Sequence, residues 1–260
     1  MKKLILILPF IALAATAQFL WQPEFLSALD VATVTSPAGL PAPVAYWNGD
    51  SPYDVVGGST IPDPSAGSYW GYGTAGDWND KPFACISSYT DYFISDDTAL
   101  FMGNMDSFTH NVWYWQNAGS YITGFMDGYN DGMDLLSYHI LKDPYVCEFS
   151  THHGDPATFQ IDWFISSIPN PPADESWHMV TMVSDATTLA IYFDAVLHYT
   201  GTKSAPATAA TGTRFSMNAR HPWSSFTGKM SMLGVWDVPL TEEQITTLYN
   251  SGNGRVHNEL

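Results

Sequence analysis

Positively charged residues are scarce in this chain of 260 residues. Lys and Arg together number 9 against 26 Asp and Glu, which gives a formal charge of −17. Two of the nine cations, Lys2 and Lys3, stand among the first three residues. A surface dominated by acidic groups repels both the phosphate backbone of nucleic acids and anionic lipid headgroups. We therefore expect no nucleic-acid partner and no attraction to an acidic membrane surface.

Glutamate is scarce as well. The acidic residues divide into 20 Asp and only 6 Glu, and the chain has 20 Gly and 17 Pro. Asp, Gly and Pro favour turns over helix interiors. Charged residues make up 13% and aromatic residues 15%, whereas disordered acidic chains are poor in aromatics. The composition predicts a folded, all-β protein with many loops.

Long apolar runs are missing except at the start of the sequence. The basic residues Lys2 and Lys3 precede an apolar stretch over residues 4–14 and a small-x-small site at Ala15-Thr16-Ala17. This is the pattern of an export signal that is cleaved after Ala17. The alternative is an uncleaved anchor, because the apolar run to Leu20 is roughly long enough for one.

The remaining chain divides into a short segment and one domain. We predict a signal peptide at 1–17, an N-terminal segment with a Pro-rich linker at 18–43, and a single domain at 44–260. After cleavage no stable membrane span remains, so we expect a secreted or cell-surface protein.

Cysteine is nearly absent. Cys85 and Cys147 are the only two, which is too few for the common four-ligand zinc site without help from histidine. Both fall in strand-like segments. Export favours a disulfide between Cys85 and Cys147, and the alternative is two buried free thiols.

Short apolar runs alternate with turn clusters along the whole domain. We predict strands at 83–88, 91–95, 108–115, 121–126, 134–141, 145–150, 158–165, 177–184, 189–194, 213–218 and 228–236. So many strands without helices between them are typical of a sandwich or jelly roll. One helix follows the last strand, with Thr241 as N-cap, Gln244 completing a capping box, and Gly252 as the left-handed closing residue.

The last third of the chain contains an ordered set of motifs. They are Trp177-His178-Met179-Val180, Leu189-Ala190-Ile191-Tyr192-Phe193-Asp194, Arg214-Phe215-Ser216-Met217, Gly228-Lys229-Met230-Ser231-Met232-Leu233-Gly234-Val235-Trp236 and Pro239-Leu240-Thr241-Glu242-Glu243-Gln244. Together with Tyr89-Thr90-Asp91-Tyr92 and Ser107-Phe108-Thr109, this series resembles the laminin-G-like, or pentraxin-like, branch of the concanavalin A-like jelly rolls. The resemblance implies an antiparallel β-sandwich with one short C-terminal helix. The usual Asp-Gly turn is replaced by Asp194-Ala195, so we expect that hairpin to differ or to be strained.

The resemblance also implies a Ca²⁺ site on a rim loop. The candidate ligands are Asp127, Asn130, Asp131 and Asp134, because oxygen-rich, glycine-bent loops suit Ca²⁺. A second acidic loop completes the site in pentraxin-like proteins, but the matching loop here, 219–225, has no carboxylate. The alternative is a solvated acidic hairpin.

Aromatic residues stand where loops are expected, and there they could stack on sugar rings. The candidates are Trp70, Tyr72, Trp78, Tyr129 and Trp223, each near Gly, Asp or Asn. The alternative is that these rings pack over the ends of the sandwich.

Enzyme motifs are missing from the sequence. It has no paired-Glu glucanase motif, no lyase Gln-x-His, no Gly-x-Ser-x-Gly elbow and no phosphate loop. We predict a secreted binding module that recognises a glycan or a surface protein, with possible Ca²⁺ dependence. The alternatives are an adhesive or structural component of a cell envelope or virion surface, assembled through 18–43, and a carbohydrate-active enzyme of the same fold.

Overall fold

A computed structural model describes most of the domain. It covers residues 39–50, 55–56, 69–72, 78, 81–86, 93–94, 107–116, 127–130, 133–141, 146–153, 160–166, 175–204, 214–217 and 228–260. For 69–72, 86, 93–94, 116, 127–130, 133–141, 146–153, 160–166 and 214–217 this description is of the backbone alone. The predicted signal peptide, most of the predicted linker and the predicted strand at 121–126 lie outside the described residues.

Fourteen strands and one α-helix make up the described part of the domain. They are β1 (Ala45–Trp47), β2 (Tyr69–Tyr72), β3 (Pro82–Ile86), β4 (Phe93–Ile94), β5 (Phe108–Gln116), β6 (Asp127–Asn130), β7 (Met133–Leu141), β8 (Val146–His153), β9 (Gln160–Ser166), β10 (Trp177–Ser184), β11 (Thr188–Phe193), β12 (Val196–Thr202), β13 (Arg214–Met217), β14 (Gly228–Trp236) and α1 (Glu242–Tyr249). This confirms the all-β prediction with one short helix after the last strand. No helix in the described ranges is long and apolar enough to cross a membrane.

The strands form two antiparallel sheets, as the predicted sandwich requires. The large sheet runs β12-β11-β10-β5-β14-β3-β2, and β1 also pairs with β14. The small sheet runs β4-β13-β6-β7-β8-β9. Neighbours in sequence are often not neighbours in a sheet, so long connections pass between the sheets, as in a jelly roll.

Residues that alternate along the large sheet divide between two faces. On one face, Trp113, Met179 and Tyr192 pack under α1, with Ile245 and Leu248 of the helix reaching down onto them. The opposite face is buried too, with Val112 and Val180 fully covered. His110 lies on this second face, where burial lowers its pKa to about 3, so its ring is neutral.

The predicted capping box forms at the start of α1. The side chain of Thr241 accepts the backbone N–H of Gln244, whose own side chain accepts the N–H of Thr241. The closing residue differs from the prediction. Asn250, with φ 49 and ψ 46, takes the left-handed C-cap position directly after the last turn, and Gly252 follows in a short 3₁₀ turn.

The segment before β1 is part of the packed domain. Leu40 belongs to the core under α1. The carbonyl of Pro41 accepts the indole N–H of Trp236 at 3.0 Å, and the carbonyl of Gly39 accepts the side-chain amide of Gln244. Residues 39–43 therefore lie against the domain and are not a free linker.

The Asp194-Ala195 hairpin keeps the tight turn that Asp-Gly would give. Phe193 pairs with Val196, which leaves two residues in the turn, and both have positive φ, 49 and 63. This is the backbone of a type I′ turn, in which an alanine is strained. The expected strain is present at Ala195.

Candidate functional site

The predicted aromatic candidates fall in different parts of the fold. Trp70 and Tyr72 lie on β2, which pairs with β3 in the large sheet, so the expected loop at these positions is wrong. Tyr129 lies on β6 in the small sheet, opposite Asp134. Trp223 lies outside the described residues. A loop was expected here because Gly71, and Gly73 and Gly76 after it, favour turns.

Trp78 is packed more closely than an exposed loop residue would be. Its ring stacks on Trp177 with centroids 4.1 Å apart, and it lies 4.9 Å from the ring of Trp113. Its indole N–H donates to the carbonyl of Gly252 at 3.4 Å. Trp78 is therefore partly buried against the core under α1.

The predicted Ca²⁺ ligands lie on a tight hairpin. Asp127 and Asn130 are on β6 and Asp134 is on β7, and Asn130 pairs with Met133, so only Asp131 and Gly132 are left between the strands. Asp131 lies outside the described residues. Among the residues whose side chains are described, no three His, Cys, Asp or Glu side chains lie close enough to hold a metal. The Ca²⁺ site at 127–134 stays a prediction.

The cysteines lie on different sheets. Cys85 is on β3 of the large sheet and Cys147 is on β8 of the small sheet. Cys85 carries a free, partly buried thiol in the structure. The predicted disulfide is therefore not formed, and Cys85 has the free thiol that was the alternative.

One row of side chains crosses the large sheet on the face that carries α1. The row consists of Trp177 on β10, Trp115 on β5, Lys229 on β14 and Cys85 on β3, each directly opposite the next. Directly opposite residues share a face and lie close together. We call these four residues the aromatic row. Neighbouring strands lie about 4.8 Å apart, so the row spans roughly 14 Å.

The aromatic row is partly exposed, whereas the parallel row beside it is buried. Each of its four members has intermediate exposure. The next row toward the helix contains Met179, Trp113 and Ser231, and all three are buried. The aromatic row is therefore more open to solvent than the row of Met179, Trp113 and Ser231 beside it.

Lys229 is fixed among rings. Its ammonium lies 4.8 Å from the centre of the Trp115 ring and 4.9 Å from that of Phe83. A cation over an aromatic face is stabilised by the negative potential of the ring. The ammonium group of Lys229 is therefore held between aromatic rings, on a chain that has few positive groups.

The aromatic row can bind a ligand that has both apolar faces and polar edges. Trp78 covers one face of Trp177 and the Lys229 ammonium lies over Trp115, so a ligand would contact the part of each ring that is still exposed. Lys229 supplies hydrogen-bond donors beside the rings. Trp177, Trp115 and Lys229 come from three strands that lie far apart in the sequence. Only the register of β10, β5 and β14 places the three together.

A family profile matches most of the domain. The profile is that of the concanavalin A-like lectin/glucanases superfamily, in a laminin G-type family, and it matches residues 87–246. No curated protein sequence matches the chain.

Several solved structures share the fold at low sequence identity. Domain 4 of AbnA, an extracellular arabinanase from Geobacillus stearothermophilus in complex with arabinotriose, is 13% identical with a TM-score of 0.51, over 79% of this chain and 97% of that chain. The binding domain of botulinum neurotoxin serotype D is 9% identical with a TM-score of 0.60, over 81% of this chain and 52% of that chain. The binding domain of Paraclostridial Mosquitocidal Protein 1 is 10% identical with a TM-score of 0.59, over 81% and 52%. This chain thus spans about half the length of each toxin binding domain.

The profile and the structures agree with each other. The matched residues 87–246 include most of both sheets and the start of α1. This region is more than half of the sequence, and its motifs follow one another in the order described above. The chain therefore belongs to the concanavalin A-like lectin/glucanases superfamily, in its laminin G-like branch.

Proposed function

We propose that this protein is an exported glycan-binding module, and that the aromatic row is its binding surface. The observation that carries the proposal is the partly exposed strip of Trp177, Trp115 and Lys229 beside the buried row of Met179, Trp113 and Ser231. Sugar rings stack their C–H faces on flat aromatic side chains, and their hydroxyl groups bond to polar groups beside them.

Two further observations support glycan binding. The similar domain of the arabinanase was solved with arabinotriose. The width of the aromatic row, roughly 14 Å across four strands, suits an extended oligosaccharide better than a single sugar. The strongly acidic chain also disfavours a nucleic-acid ligand at the same surface.

A glycan array on the mature chain, residues 18–260, tests the proposal. Arabinotriose is added as a separate probe and is titrated by calorimetry. We expect at least one class of glycan to bind. Trp115→Ala should weaken that binding about tenfold or more, as the removal of a central aromatic contact does in other interfaces. The matched control is Tyr199→Ala, a partly exposed aromatic residue on β12, away from the row.

Each other outcome points to a different surface or partner. If Trp115→Ala binds normally while Trp70→Ala or Trp223→Ala loses binding, the site lies at the loops and strands predicted from the sequence. If the wild-type chain binds no glycan, the glycan proposal is wrong. A protein partner is then the remaining binding function, and one similar structure is a toxin binding domain in complex with rat synaptotagmin II.

Calcium dependence is a separate part of the proposal. The same array run with Ca²⁺ and again with EDTA tests it, together with a calorimetric titration of Ca²⁺ into the apo chain. We expect Asp131→Asn to reduce any Ca²⁺ binding, because the ligands at 127–134 act as one group of oxygen donors. If the titration of Ca²⁺ into the wild-type chain gives no heat of binding, the proposed calcium site is wrong. The proposal for the aromatic row does not depend on that result.

Export is tested by the N-terminus of the mature protein. We propose cleavage after Ala17, so the intact mass of protein recovered outside the producing cell should correspond to a chain that starts at Gln18. A full-length mass in the membrane fraction would favour the uncleaved anchor.

A further inference from the structure

Three polar side chains form a hydrogen-bonded chain at the end of the large sheet where β10 begins. The hydroxyl of Ser176 lies 2.7 Å from Nε2 of His178, and Nδ1 of His178 lies 2.7 Å from Oδ2 of Asp194. Ser176 and His178 are two residues apart, so an extended backbone puts them on one face. Asp194 comes from the β11–β12 turn, which lies beside the start of β10 because β10 and β11 pair.

The carboxylate of Asp194 is held by backbone as well as by the histidine. Its Oδ1 accepts the backbone N–H of Met179 at 2.9 Å, and its own N–H donates to the Met179 carbonyl at 2.9 Å. An ionised carboxylate can only accept, so Nδ1 of His178 carries the proton that is shared with Asp194. When the imidazole is neutral, Nε2 then carries no proton and accepts the hydrogen bond of the Ser176 hydroxyl.

All three side chains are partly exposed to solvent. The side chain of His178 is 13% exposed and that of Asp194 is 32% exposed, while Ser176 has intermediate exposure. The ring of Tyr114 lies 5.8 Å from the imidazole and covers it from the buried side. Glu175, directly before the serine, is exposed and has φ 57, a backbone conformation that is strained for a glutamate.

We propose that Ser176, His178 and Asp194 act as a nucleophile, a general base and an orienting carboxylate, and that they hydrolyse carboxylic esters. The roles follow from geometry: a serine within hydrogen-bond reach of a base, and the base oriented by a third group. The proposal does not depend on glycan binding, because these residues are separate from the aromatic row.

The reaction proceeds in two balanced steps. In the first, Ser176 Oγ forms a bond to the ester carbonyl carbon while its proton passes to Nε2 of His178. The bond from that carbon to the leaving oxygen then breaks, and the leaving alcohol takes the proton from Nε2. In the second, water attacks the acyl-serine, gives a proton to His178, and the released serine takes that proton back, leaving the carboxylic acid. Asp194 stabilises the charged imidazole in both steps.

If Ser176, His178 and Asp194 have only a structural role, Ser176 should not be reactive as a nucleophile. If the three groups only fix the β11–β12 turn onto β10, the Asp194 contacts with Met179 and His178 are sufficient, and Ser176 has the low reactivity of an ordinary surface serine. Activation by His178 is what distinguishes the two roles, so the test measures the reactivity of the serine itself.

The experiment uses the mature chain, residues 18–260, with a fluorophosphonate probe and with p-nitrophenyl acetate. We expect the probe to label Ser176, identified by peptide mapping, and the ester to be hydrolysed with a burst of nitrophenol. Ser176→Ala should abolish labelling and lower hydrolysis by on the order of a hundredfold. Ser251→Ala, an exposed serine in the C-terminal segment, is the matched control and should change neither.

A second variant separates orientation from folding. Asp194→Asn should lower labelling of Ser176 while the chain stays folded by circular dichroism. If Asp194→Asn unfolds the protein, the result with Ser176→Ala decides by itself, because Ser176 lies just before β10 and is only partly buried. Absence of labelling in the folded wild-type chain, or ester hydrolysis that persists in Ser176→Ala, would overturn the proposal.

Discussion

Two residues in the β11–β12 turn adopt a backbone conformation that favours glycine. Asp194 and Ala195 have φ 49 and 63, as a type I′ turn requires at both central positions. Asp tolerates this region better than alanine, because its short polar side chain bonds locally. Here the carboxylate of Asp194 bonds to Met179 and His178, so its position is stabilised by contacts, whereas that of Ala195 is strained.

Ala195→Gly should therefore stabilise the protein. Glycine removes the clash of the Cβ atom in the left-handed region, and we expect a gain of about 0.5–1 kcal/mol after the larger entropy of the unfolded glycine is counted. Urea unfolding at pH 7 measures it. Ala190→Gly, within β11, is the control and should lose about 0.5–1 kcal/mol, because glycine weakens a strand interior. Equal losses in both variants would show that Ala195 is not strained.

Asp185 orders the turn between β10 and β11. Its Oδ1 accepts the backbone N–H groups of Thr187 at 2.7 Å and Thr188 at 2.6 Å, and its Oδ2 accepts the Thr188 hydroxyl at 2.7 Å. Partial burial acts to raise the pKa of this carboxyl, but the hydrogen bonds from Thr187 and Thr188 outweigh it and lower the pKa to about 2.

This pKa predicts an acid-dependent contribution to stability. Above about pH 4, the carboxylate is ionised in both folded and unfolded chains, and its hydrogen bonds contribute fully. As the pH falls from about 4 to about 2, the unfolded chain binds a proton first, and the contribution is lost. Asp185→Asn should lower the urea midpoint at pH 7, and this difference should shrink toward pH 2. A difference that is constant with pH would contradict the lowered pKa.

At the scale of elements, the helix followed its sequence signals more closely than the strands did. The capping box at Thr241 and Gln244 formed as predicted, because a cap depends on residues close together in sequence. β1, which is only three residues long, was not predicted. Nor were β2, β6 and β12, each of which contains glycine, a residue that is depleted in strands. What makes these segments strands is pairing with β3, β7 and β11, which are elsewhere in the chain.

Loss of the cap should destabilise α1. Thr241→Ala removes the acceptor for the Gln244 backbone N–H and should cost about 1 kcal/mol. The loss lowers the free energy of unfolding of the whole domain, because Ile245 and Leu248 of the helix are buried in the core. Thr246→Ala, an exposed position of the same helix, is the control and should change stability by less than about 0.5 kcal/mol. Urea unfolding of both variants is the measurement.

At the scale of the whole molecule, the last residues join distant parts of the chain. Leu260 is buried in the core under α1. The backbone N–H of His257 donates to the side chain of Asn48 at 2.8 Å, and the hydroxyl of Tyr46 donates to the Arg255 carbonyl. The C-terminal segment therefore covers the outer side of β1.

Removal of residues 253–260 should destabilise the complete domain. The deletion removes Val256 and Leu260 from the core, and we expect a loss of about 3 kcal/mol or more in the free energy of unfolding. Lys81→Gln is the control. It breaks the Lys81–Glu259 ion pair of 3.2 Å, whose Glu side chain is 44% exposed, and the 3.4 Å hydrogen bond from Lys81 to the Gly254 carbonyl, and should cost less than about 1 kcal/mol. If the deletion lowered the free energy of unfolding no more than Lys81→Gln does, residues 253–260 would not be part of the core.

The candidate site was predictable only in part. The sequence indicated that aromatic side chains beside polar residues would bind ligand, but it placed them on loops. The structure instead puts Trp115, Trp177 and Lys229 in one partly exposed row, since three strands distant in sequence pair in this register. Ser176, His178 and Asp194 likewise meet through the pairing of β10 with β11. No local pattern encodes either arrangement.

The class of fold, the capped helix, the excess of acidic residues and the family follow from the amino-acid sequence, because each depends on composition or on residues near one another in the chain. The tertiary structure alone decided which aromatic side chains are exposed, whether Cys85 finds a partner, and which polar groups meet at the start of β10. These depend on strand order and register, which are set by the packing of the whole sandwich.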